Sequence, residues 1–168
     1  KQGFVVLCDF DGTIAEIDTA VIVFNKFIDG NWKVYNEMLD RGEITLEQCM
    51  REQFLMIRTP KSVILEELDI GVPFRHGFEE LVNYCNENQI PFEIISAGLG
   101  FVINHLLETR GLQGTKVHTV KTMFTENGLE MEAFDPHDEH SIDFKEDLVR
   151  HLKDEANYVL YIGDGMSD

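Results

Sequence analysis

The fold is decided by the stretch Phe4-Val5-Val6-Leu7-Cys8-Asp9-Phe10-Asp11-Gly12-Thr13, which joins an apolar run to two carboxylates and a glycine. A continuous apolar run of this length is typical of a strand that is buried on both faces of a parallel sheet. Such strands deliver the residues that follow them to the carboxyl edge of an open α/β sheet, where ligands bind. Asp9 and Asp11 are therefore predicted to lie at a binding edge, and the two acids indicate a metal site.

Composition limits the classes of partner that the protein can have. The chain has 168 residues, of which 43% are hydrophobic, and this suits one domain with a modest insert. Its 31 acidic and 14 basic residues give a net charge of −17, which argues against a nucleic acid or an anionic membrane as partner. An anionic substrate would need local positive charge from a metal ion, a lysine or a helix N-terminus.

The cysteines and the hydropathy indicate a cytoplasmic protein. Cys8, Cys49 and Cys85 are widely spaced and odd in number, so neither a disulfide framework nor a zinc site is predicted. The sequence contains no apolar run long enough to cross a membrane and no signal-peptide pattern. It leaves open whether the protein is a monomer or a homodimer.

Helical and strand patterns alternate after the first strand. Residues 14–69 carry helical signals, including a run from Thr45 to Ile57 with apolar side chains at helical spacing. The other predicted elements are helices at 77–87, 101–109 and 142–155, strands at 90–96 and 158–162, and a hairpin within 116–134 around Glu126-Asn127-Gly128. This order predicts an α/β fold with a parallel sheet, over whose edge the long helical block forms an insert.

If the anionic substrate is a phosphate ester, residues at the predicted sheet edge can supply each step of its hydrolysis. Asp9 is a carboxylate able to attack phosphorus, and Asp11 is a proton source if its pKa lies above the ordinary value of about 3.9. The charge of Asp9 and closure of the insert would raise that pKa. Ser96 ends the second core strand ahead of a helix, so its hydroxyl and the following N–H groups can face a phosphate oxygen. Lys145 would supply positive charge, and Lys121 is the main alternative.

Four motifs in order resemble those of the haloacid dehalogenase superfamily of phosphohydrolases: Asp9-Phe10-Asp11-Gly12-Thr13, Ile95-Ser96-Ala97-Gly98, Lys145 and Gly163-Asp164-Gly165-Met166-Ser167-Asp168. The helical block and the hairpin resemble the phosphoserine-phosphatase-like branch of that superfamily. The interval from Lys145 to Asp164 resembles the methionine-salvage enolphosphatases, which act on 2-hydroxy-3-keto-5-methylthiopentenyl-1-phosphate. The resemblance implies a Rossmann-like catalytic core of residues 1–14 and 75–168, with a small helical, C1-type cap at 15–74.

The resemblance also implies a role for each motif residue in the Mg²⁺-dependent hydrolysis of a small phosphorylated metabolite. Asp9 would be the nucleophile that forms an aspartyl-phosphate, Asp11 the acid and base, and Lys145 the cation that balances the crowded charges. The implied Mg²⁺ ligands are Asp9, the Asp11 carbonyl and Asp164, with Asp168 near the metal. The implied phosphate-binding residues are Thr13, Ser96, Ala97 and Gly98.

Residues of the implied cap predict which substrate is chosen. Asp18 takes the position at which the phosphoserine branch has a glutamate that contacts the substrate amine. The arginine that grips the serine carboxylate in that branch falls on Gln53, while Arg51 lies close by on another face of the helix. A neutral amide cannot make the bidentate pair that a guanidinium makes with a carboxylate. Phosphoserine is therefore a poor candidate for the substrate.

Two other functions remain open at this stage. A receiver-type signalling module also uses strand-end aspartates, a hydroxyl residue, a lysine and Mg²⁺ to hold a phosphoryl group, although the long insert and the order of the two acids disfavour it. A catalytically silent relative would bind phosphate or metal without turnover. His137 and His140 form a further candidate site for a transition metal, and an exposed polar loop is the simpler interpretation of both.

Overall fold

A computed structural model describes residues 3–68, 71–137, 141, 143–155 and 158–165. Its centre is a parallel sheet of four strands, in which the first strand pairs with a neighbour on each side. In spatial order the strands are β3 (Lys116–His118), β2 (Phe92–Ile95), β1 (Val5–Cys8) and β6 (Val159–Ile162). All four residues of β1 are buried, as the apolar run predicts. The predicted site residue Asp168 lies outside the described residues, as does His140.

Helices cover both faces of the sheet. On one face, α5 (Phe78–Glu87) and α6 (Gly100–Glu108) bury their apolar sides in a cluster that contains Val6, Cys8 and Ile94. On the other face, Leu152 of α7 (Phe144–Glu155) packs against Leu7 and Ile95. Side chains alternate between the two faces of a strand, so neighbouring residues of β1 belong to different clusters. The predicted parallel sheet with helices on both faces is confirmed.

The described residues between β1 and α5 form four helices: α1 (Thr19–Phe27), α2 (Lys33–Asp40), α3 (Leu46–Leu55) and α4 (Lys61–Leu68). Polar side chains begin two of them. The Asp18 carboxylate accepts from the N–H of Val21 at 2.9 Å, and Thr45 and Gln48 form a reciprocal capping box. Phe24 joins the helices through ring contacts with Trp32 and Phe54, at centroid distances of 5.1 and 6.3 Å. Aromatic packing therefore holds the insert together.

The chain leaves the sheet and returns to it through two adjacent segments. The N–H of Arg75 donates to the Ile14 carbonyl at 2.7 Å, and the N–H of Glu16 donates to the Pro73 carbonyl at 3.0 Å. These bonds place the two ends of the helical insert side by side. The division into a core and a cap at residues 15–74 is consistent with this crossing and stays a prediction.

The hairpin forms within the segment that the sequence predicts. Its strands are β4 (Thr122–Thr125) and β5 (Gly128–Met131), joined by a turn at the predicted place. The predicted hairpin within 116–134 is therefore confirmed, and residues 116–118, which precede it, pair in parallel with β2 and extend the main sheet. A strand of three residues carries too little pattern to be separated from a neighbouring hairpin signal.

The hairpin is fastened to the helical insert. The N–H of Leu129 donates to the Ile57 carbonyl at 3.1 Å, and an Arg51 Nη donates to the Met131 carbonyl at 3.3 Å. Gly128 has φ +125°, and a side chain there would collide with the Leu55 carbonyl.

No helix within the described ranges has both the length and the apolarity that a membrane crossing requires.

Candidate active site

The carboxyl ends of β1, β2 and β6 and the helical insert enclose a cavity of about 320 Å³. This is where ligands bind in open parallel sheets. The predicted residues that line it on the sheet side are Asp9, Asp11, Ser96, Ala97, Gly98, Lys145 and Asp164. The structure therefore brings residues from all four sequence motifs to one cavity.

Asp9 and Lys145 form an ion pair in this cavity. Lys145 Nζ lies 3.2 Å from Asp9 Oδ1, and both side chains are largely buried, with exposed fractions of 12% and 9%. The N–H of Asp9 donates to the Ile162 carbonyl at 2.8 Å, so the sheet ladder fixes the backbone at this residue. Lys121, the alternative cation, is exposed and lies 3.8 Å from Glu132. Lys145 is thus the lysine that the fold places beside the predicted nucleophile.

Asp11 is held by the first residue of α1. Its Oδ1 accepts from the Thr19 hydroxyl at 2.6 Å and from the Thr19 N–H at 2.7 Å. The pKa of Asp11 is raised to about 6, chiefly by burial; the Thr19 hydrogen bonds oppose the rise, and the nearby charges of Asp18 and Asp9 add to it by smaller amounts. The direction agrees with the prediction from sequence, but burial is the main cause and Asp9 a minor one.

Thr19 is a site residue that sequence reasoning missed. It is fully buried and lies next to Asp18, whose own carboxylate caps α1. The sequence signal that could have found Thr19 is its hydroxyl, which follows the Asp18 carboxylate directly before the apolar run of the helix. Because Asp18 satisfies the capping pattern, the role of Thr19 appears only when the fold brings it to Asp11.

Asp164 is held by the turn that follows β1. The Thr13 hydroxyl donates to Asp164 Oδ1 at 2.6 Å. Gly12 has φ +77°, and a Cβ at this residue would lie 2.5 Å from Asp164 Oδ2, so only glycine suits the turn. Thr13 is not among the described residues that line the cavity, so its effect on the site passes through its hydrogen bond to Asp164.

Arg75 braces the same turn from outside the cavity. Its Nε donates to the Thr13 carbonyl and its Nη2 to the Gly12 carbonyl, both at 2.7 Å. One guanidinium therefore satisfies two carbonyls of the loop between Asp11 and the helical insert. Sequence reasoning missed Arg75, because nothing in the local pattern relates it to a turn 62 residues earlier.

Ser96 and the backbone after it form a compact polar floor. The Ser96 side chain is buried, and its Oγ accepts from the N–H of Gly98 at 3.0 Å. A Cβ at Gly98 would collide with Asp11 Oδ2, so this glycine lets the backbone approach the predicted acid. Helix α6 begins two residues later, which adds its N-terminal N–H groups to this end of the cavity.

The oxygen donors at the cavity fit Mg²⁺ better than a softer metal. Within the described ranges, no group of three or more His, Cys, Asp and Glu side chains is arranged to hold a metal ion. The set implied by the resemblance has two carboxylates in this range, Asp9 and Asp164, and the Asp11 carbonyl. Mg²⁺ takes a few such oxygens and keeps several waters, so this donor set suits it.

The helical insert supplies the other wall of the cavity. Its apolar members are Phe24, Trp32, Met50 and Phe54, and its polar members include Asp18, Asn36 and Gln53. Two of the three predicted specificity residues, Asp18 and Gln53, thus lie at the cavity. Arg51 points to the hairpin and pairs with Glu47 at 2.6 Å. In the described part of the chain, it is not among the lining residues.

His137 lies elsewhere. Its Nδ1 is 2.7 Å from the buried Asp147, and its ring stacks on His151 with a centroid distance of 4.6 Å. Its predicted partner in a metal site, His140, is outside the described residues. A transition-metal role for this pair stays a prediction.

Comparison with known proteins identifies the family. Residues 6–168 match the family described as haloacid dehalogenase-like hydrolase. The chain belongs to this family. It is also 27% identical to the 2-hydroxy-3-keto-5-methylthiopentenyl-1-phosphate phosphatases of Bacillus pumilus, over 98% of this chain and 73% of that protein, and Bacillus cereus (strain G9842), over 97% and 76%. Membership of the family and these named relatives identify the chain as a phosphoric monoester hydrolase.

Solved structures support the same fold. A phosphoserine phosphatase from T. onnurineus superposes with a TM-score of 0.67 at 17% identity, over 99% of this chain and 78% of that one. A haloacid dehalogenase family hydrolase from Salmonella enterica serovar Typhi gives a TM-score of 0.74 at 15% identity, over 99% of this chain and 58% of that one. At these identities the likeness concerns the fold alone.

Proposed function

We propose that the protein hydrolyses a small, soluble phosphate monoester in the cytoplasm, with Asp9 as nucleophile and Mg²⁺ as cofactor. The observation that carries the proposal is the convergence of Asp9, Asp11, Ser96 and Lys145 on one cavity. The phosphatase relatives act on a phosphorylated small molecule, which supports the same class of substrate here.

The proposed reaction has two steps. In the first, an Asp9 carboxylate oxygen attacks phosphorus, the bond from phosphorus to the ester oxygen breaks, and Asp11 gives its proton to the departing alkoxide. In the second, ionised Asp11 takes a proton from water, whose oxygen attacks phosphorus and releases Asp9 and inorganic phosphate. A pKa of about 6 suits Asp11 to both roles, because both protonation states are accessible near neutral pH.

Other residues would hold the phosphoryl group and balance charge. Lys145 offsets the negative charge of Asp9 and the phosphate, and Ser96 with the N–H groups of Ala97 and Gly98 faces the phosphoryl oxygens. Thr13, which the resemblance assigns to phosphate, would act by fixing Asp164. Mg²⁺, held by Asp9, Asp164 and the Asp11 carbonyl, would neutralise charge on the phosphoryl oxygens.

Steady-state hydrolysis of p-nitrophenyl phosphate with Mg²⁺ tests the proposal. We expect Asp9→Asn, which keeps the shape of the side chain and loses the nucleophile, to lower kcat by about 10³-fold or more. Glu52→Gln, an exposed change on α3, serves as the control and should stay within twofold. Full turnover by Asp9→Asn would contradict the nucleophile assignment.

The same assay separates the alternatives. A receiver-type module would accept one phosphoryl group and keep it, whereas a hydrolase releases many equivalents of phosphate. Protein quenched with acid during turnover should carry phosphate on Asp9, whereas protein quenched after the substrate is consumed should not. A catalytically silent relative would show neither turnover nor transfer.

A further inference from the structure

The wall that the helical insert contributes to the cavity consists mainly of closely packed apolar side chains. Phe24, Trp32, Met50 and Phe54 are each at most 6% exposed, and the three rings contact one another in series. A wall of buried aromatic and thioether groups favours an apolar portion of a ligand over a charged one. Because the rings support each other, this wall is formed before any ligand arrives.

Two amide side chains interrupt this apolar wall. Gln53 Nε2 donates to Asn36 Oδ1 at 2.7 Å and to the Trp32 carbonyl at 3.4 Å. A backbone carbonyl only accepts, so it fixes which end of the buried Gln53 amide is the NH₂ group. Asn36 Oδ1 also accepts from Cys49 Sγ at 3.5 Å. The groups that these bonds leave for a ligand are one acceptor, Gln53 Oε1, and one donor, Asn36 Nδ2.

The charges around the cavity oppose a second anionic group on the ligand. In the described part of the chain, Lys145 is the only cationic side chain that lines the cavity, and it is paired with Asp9. The insert contributes a carboxylate, Asp18, and no cation among its described lining residues. A ligand carboxylate against this wall would lose water without gaining a positive partner.

We propose that the alcohol released from the substrate is uncharged, with an apolar segment against the aromatic wall and a hydroxyl group on the Asn36–Gln53 amide pair. A hydroxyl donates one hydrogen bond and accepts another, which matches the one acceptor and one donor of the pair. Esters that carry a carboxylate on the alcohol are rejected. The inference rests on the proposed function, because it describes the leaving group of that reaction.

A series of three esters tests the inference. The purified protein is assayed with Mg²⁺ on n-pentyl phosphate, 4-hydroxybutyl phosphate and 4-phosphooxybutanoate, which are similar in length and differ in the terminal group. We expect the hydroxyl ester to have the highest kcat/KM and the carboxylate ester to be at least about 100-fold lower. If kcat/KM for 4-hydroxybutyl phosphate is less than tenfold above that for 4-phosphooxybutanoate, the inference is wrong.

A variant assigns the preference to the amide pair. Gln53→Met keeps the length of the side chain and removes its polar atoms, so the ratio of kcat/KM for the hydroxyl ester to that for the methyl-ended ester should fall to about one, from about tenfold in the parent. Glu52→Gln is the matched control on the same helix and should keep the parent ratio. An unchanged ratio in a folded Gln53→Met variant, checked by its melting temperature, would place the preference elsewhere and overturn the role of the pair.

p-Nitrophenyl phosphate is included in every assay to separate the two levels of failure. If it is hydrolysed while the three esters react equally, the inference fails and the proposed function stands. If it is not hydrolysed at all, the proposed function fails, and the inference fails with it.

Discussion

The two walls of the cavity differ in chemistry and in what holds them. The sheet-side wall is charged and hydrogen-bonded: Lys145 pairs with Asp9, and Thr13 holds Asp164. The wall from the helical insert is mainly apolar and is held by ring packing around Phe24. The difference separates two tasks, since fixed charges suit bond breaking and a shaped apolar surface suits the choice of leaving group.

The sheet-side wall is positioned by the hydrogen bonds of the sheet itself. Asp9 follows a strand paired on both sides, and its N–H continues the ladder to Ile162 at 2.8 Å. Groups that must meet a transition state work best when such elements position them in advance. Substitutions on each wall should show whether chemistry belongs to one wall and selection to the other.

After the loss of the nucleophile itself, the largest effect is expected from the lysine on the charged wall. Lys145→Met should lower kcat/KM for p-nitrophenyl phosphate by about 100-fold, because the phosphoryl charge then loses its positive partner. Lys121→Met is the matched control, since that side chain is exposed on the hairpin. If the Lys121 variant loses activity and the Lys145 variant keeps it, the assignment from the four motifs is wrong.

A smaller effect is expected from the arginine behind that wall. Arg75→Met removes both hydrogen bonds to the carbonyls of Gly12 and Thr13 and should lower kcat/KM about tenfold, because the turn that carries Asp11 loosens. The Mg²⁺ concentration for half-maximal activity should rise with it. Arg58→Met, on an exposed arginine of the insert, controls for loss of charge. An unchanged Mg²⁺ dependence would limit Arg75 to a structural role.

Thr19 is an exception to the division of tasks between the two walls, because it belongs to the helical insert and contacts Asp11 on the sheet-side wall. Removing its hydroxyl in Thr19→Val should raise the pKa of Asp11 further above about 6, since that hydrogen bond stabilises the ionised form. Turnover that needs protonated Asp11 falls as pH rises through this pKa, so the falling limb of the kcat/KM profile should move to higher pH. Thr19→Ser keeps the hydroxyl and should leave the limb in place. A limb that stays fixed in Thr19→Val would show that Asp11 does not control it.

The smallest effect concerns stability. The pKa of Asp11 in the folded chain, about 6, lies above the ordinary value of 3.8, so an ionised Asp11 lowers stability above pH 6 and has no effect on stability below the unfolded pKa. Asp11→Asn keeps an acceptor for Thr19 and should therefore raise the free energy of unfolding at pH 7.5 by about 1 to 3 kcal/mol. Urea unfolding in EDTA measures this, and the gain should shrink toward zero near pH 4. A gain that does not depend on pH would contradict the charge as its cause.

The sequence predicted the sheet because β1 is a continuous apolar run and β2 and β6 are mainly apolar. It predicted the residues at the strand ends because parallel strands bring their carboxyl ends to one edge. It missed Thr19 and Arg75, whose partners lie in other segments and depend on how the insert folds back. It also missed the short strand at 116–118, where long-range pairing with β2 outweighs the local pattern. Distant contacts of this kind are set by tertiary packing, which a local pattern does not encode.

The bond from Leu129 to the Ile57 carbonyl has a consequence for the order of folding. It joins the segment after α3 of the helical insert to a hairpin that follows much later in the chain, so a long loop must close before the bond can form. During synthesis, the carbonyls after α3 have no hairpin beside them until Gly128 and its neighbours leave the ribosome. We therefore expect the insert to reach its final resistance to proteolysis only after that segment has emerged, well after its own helices are complete.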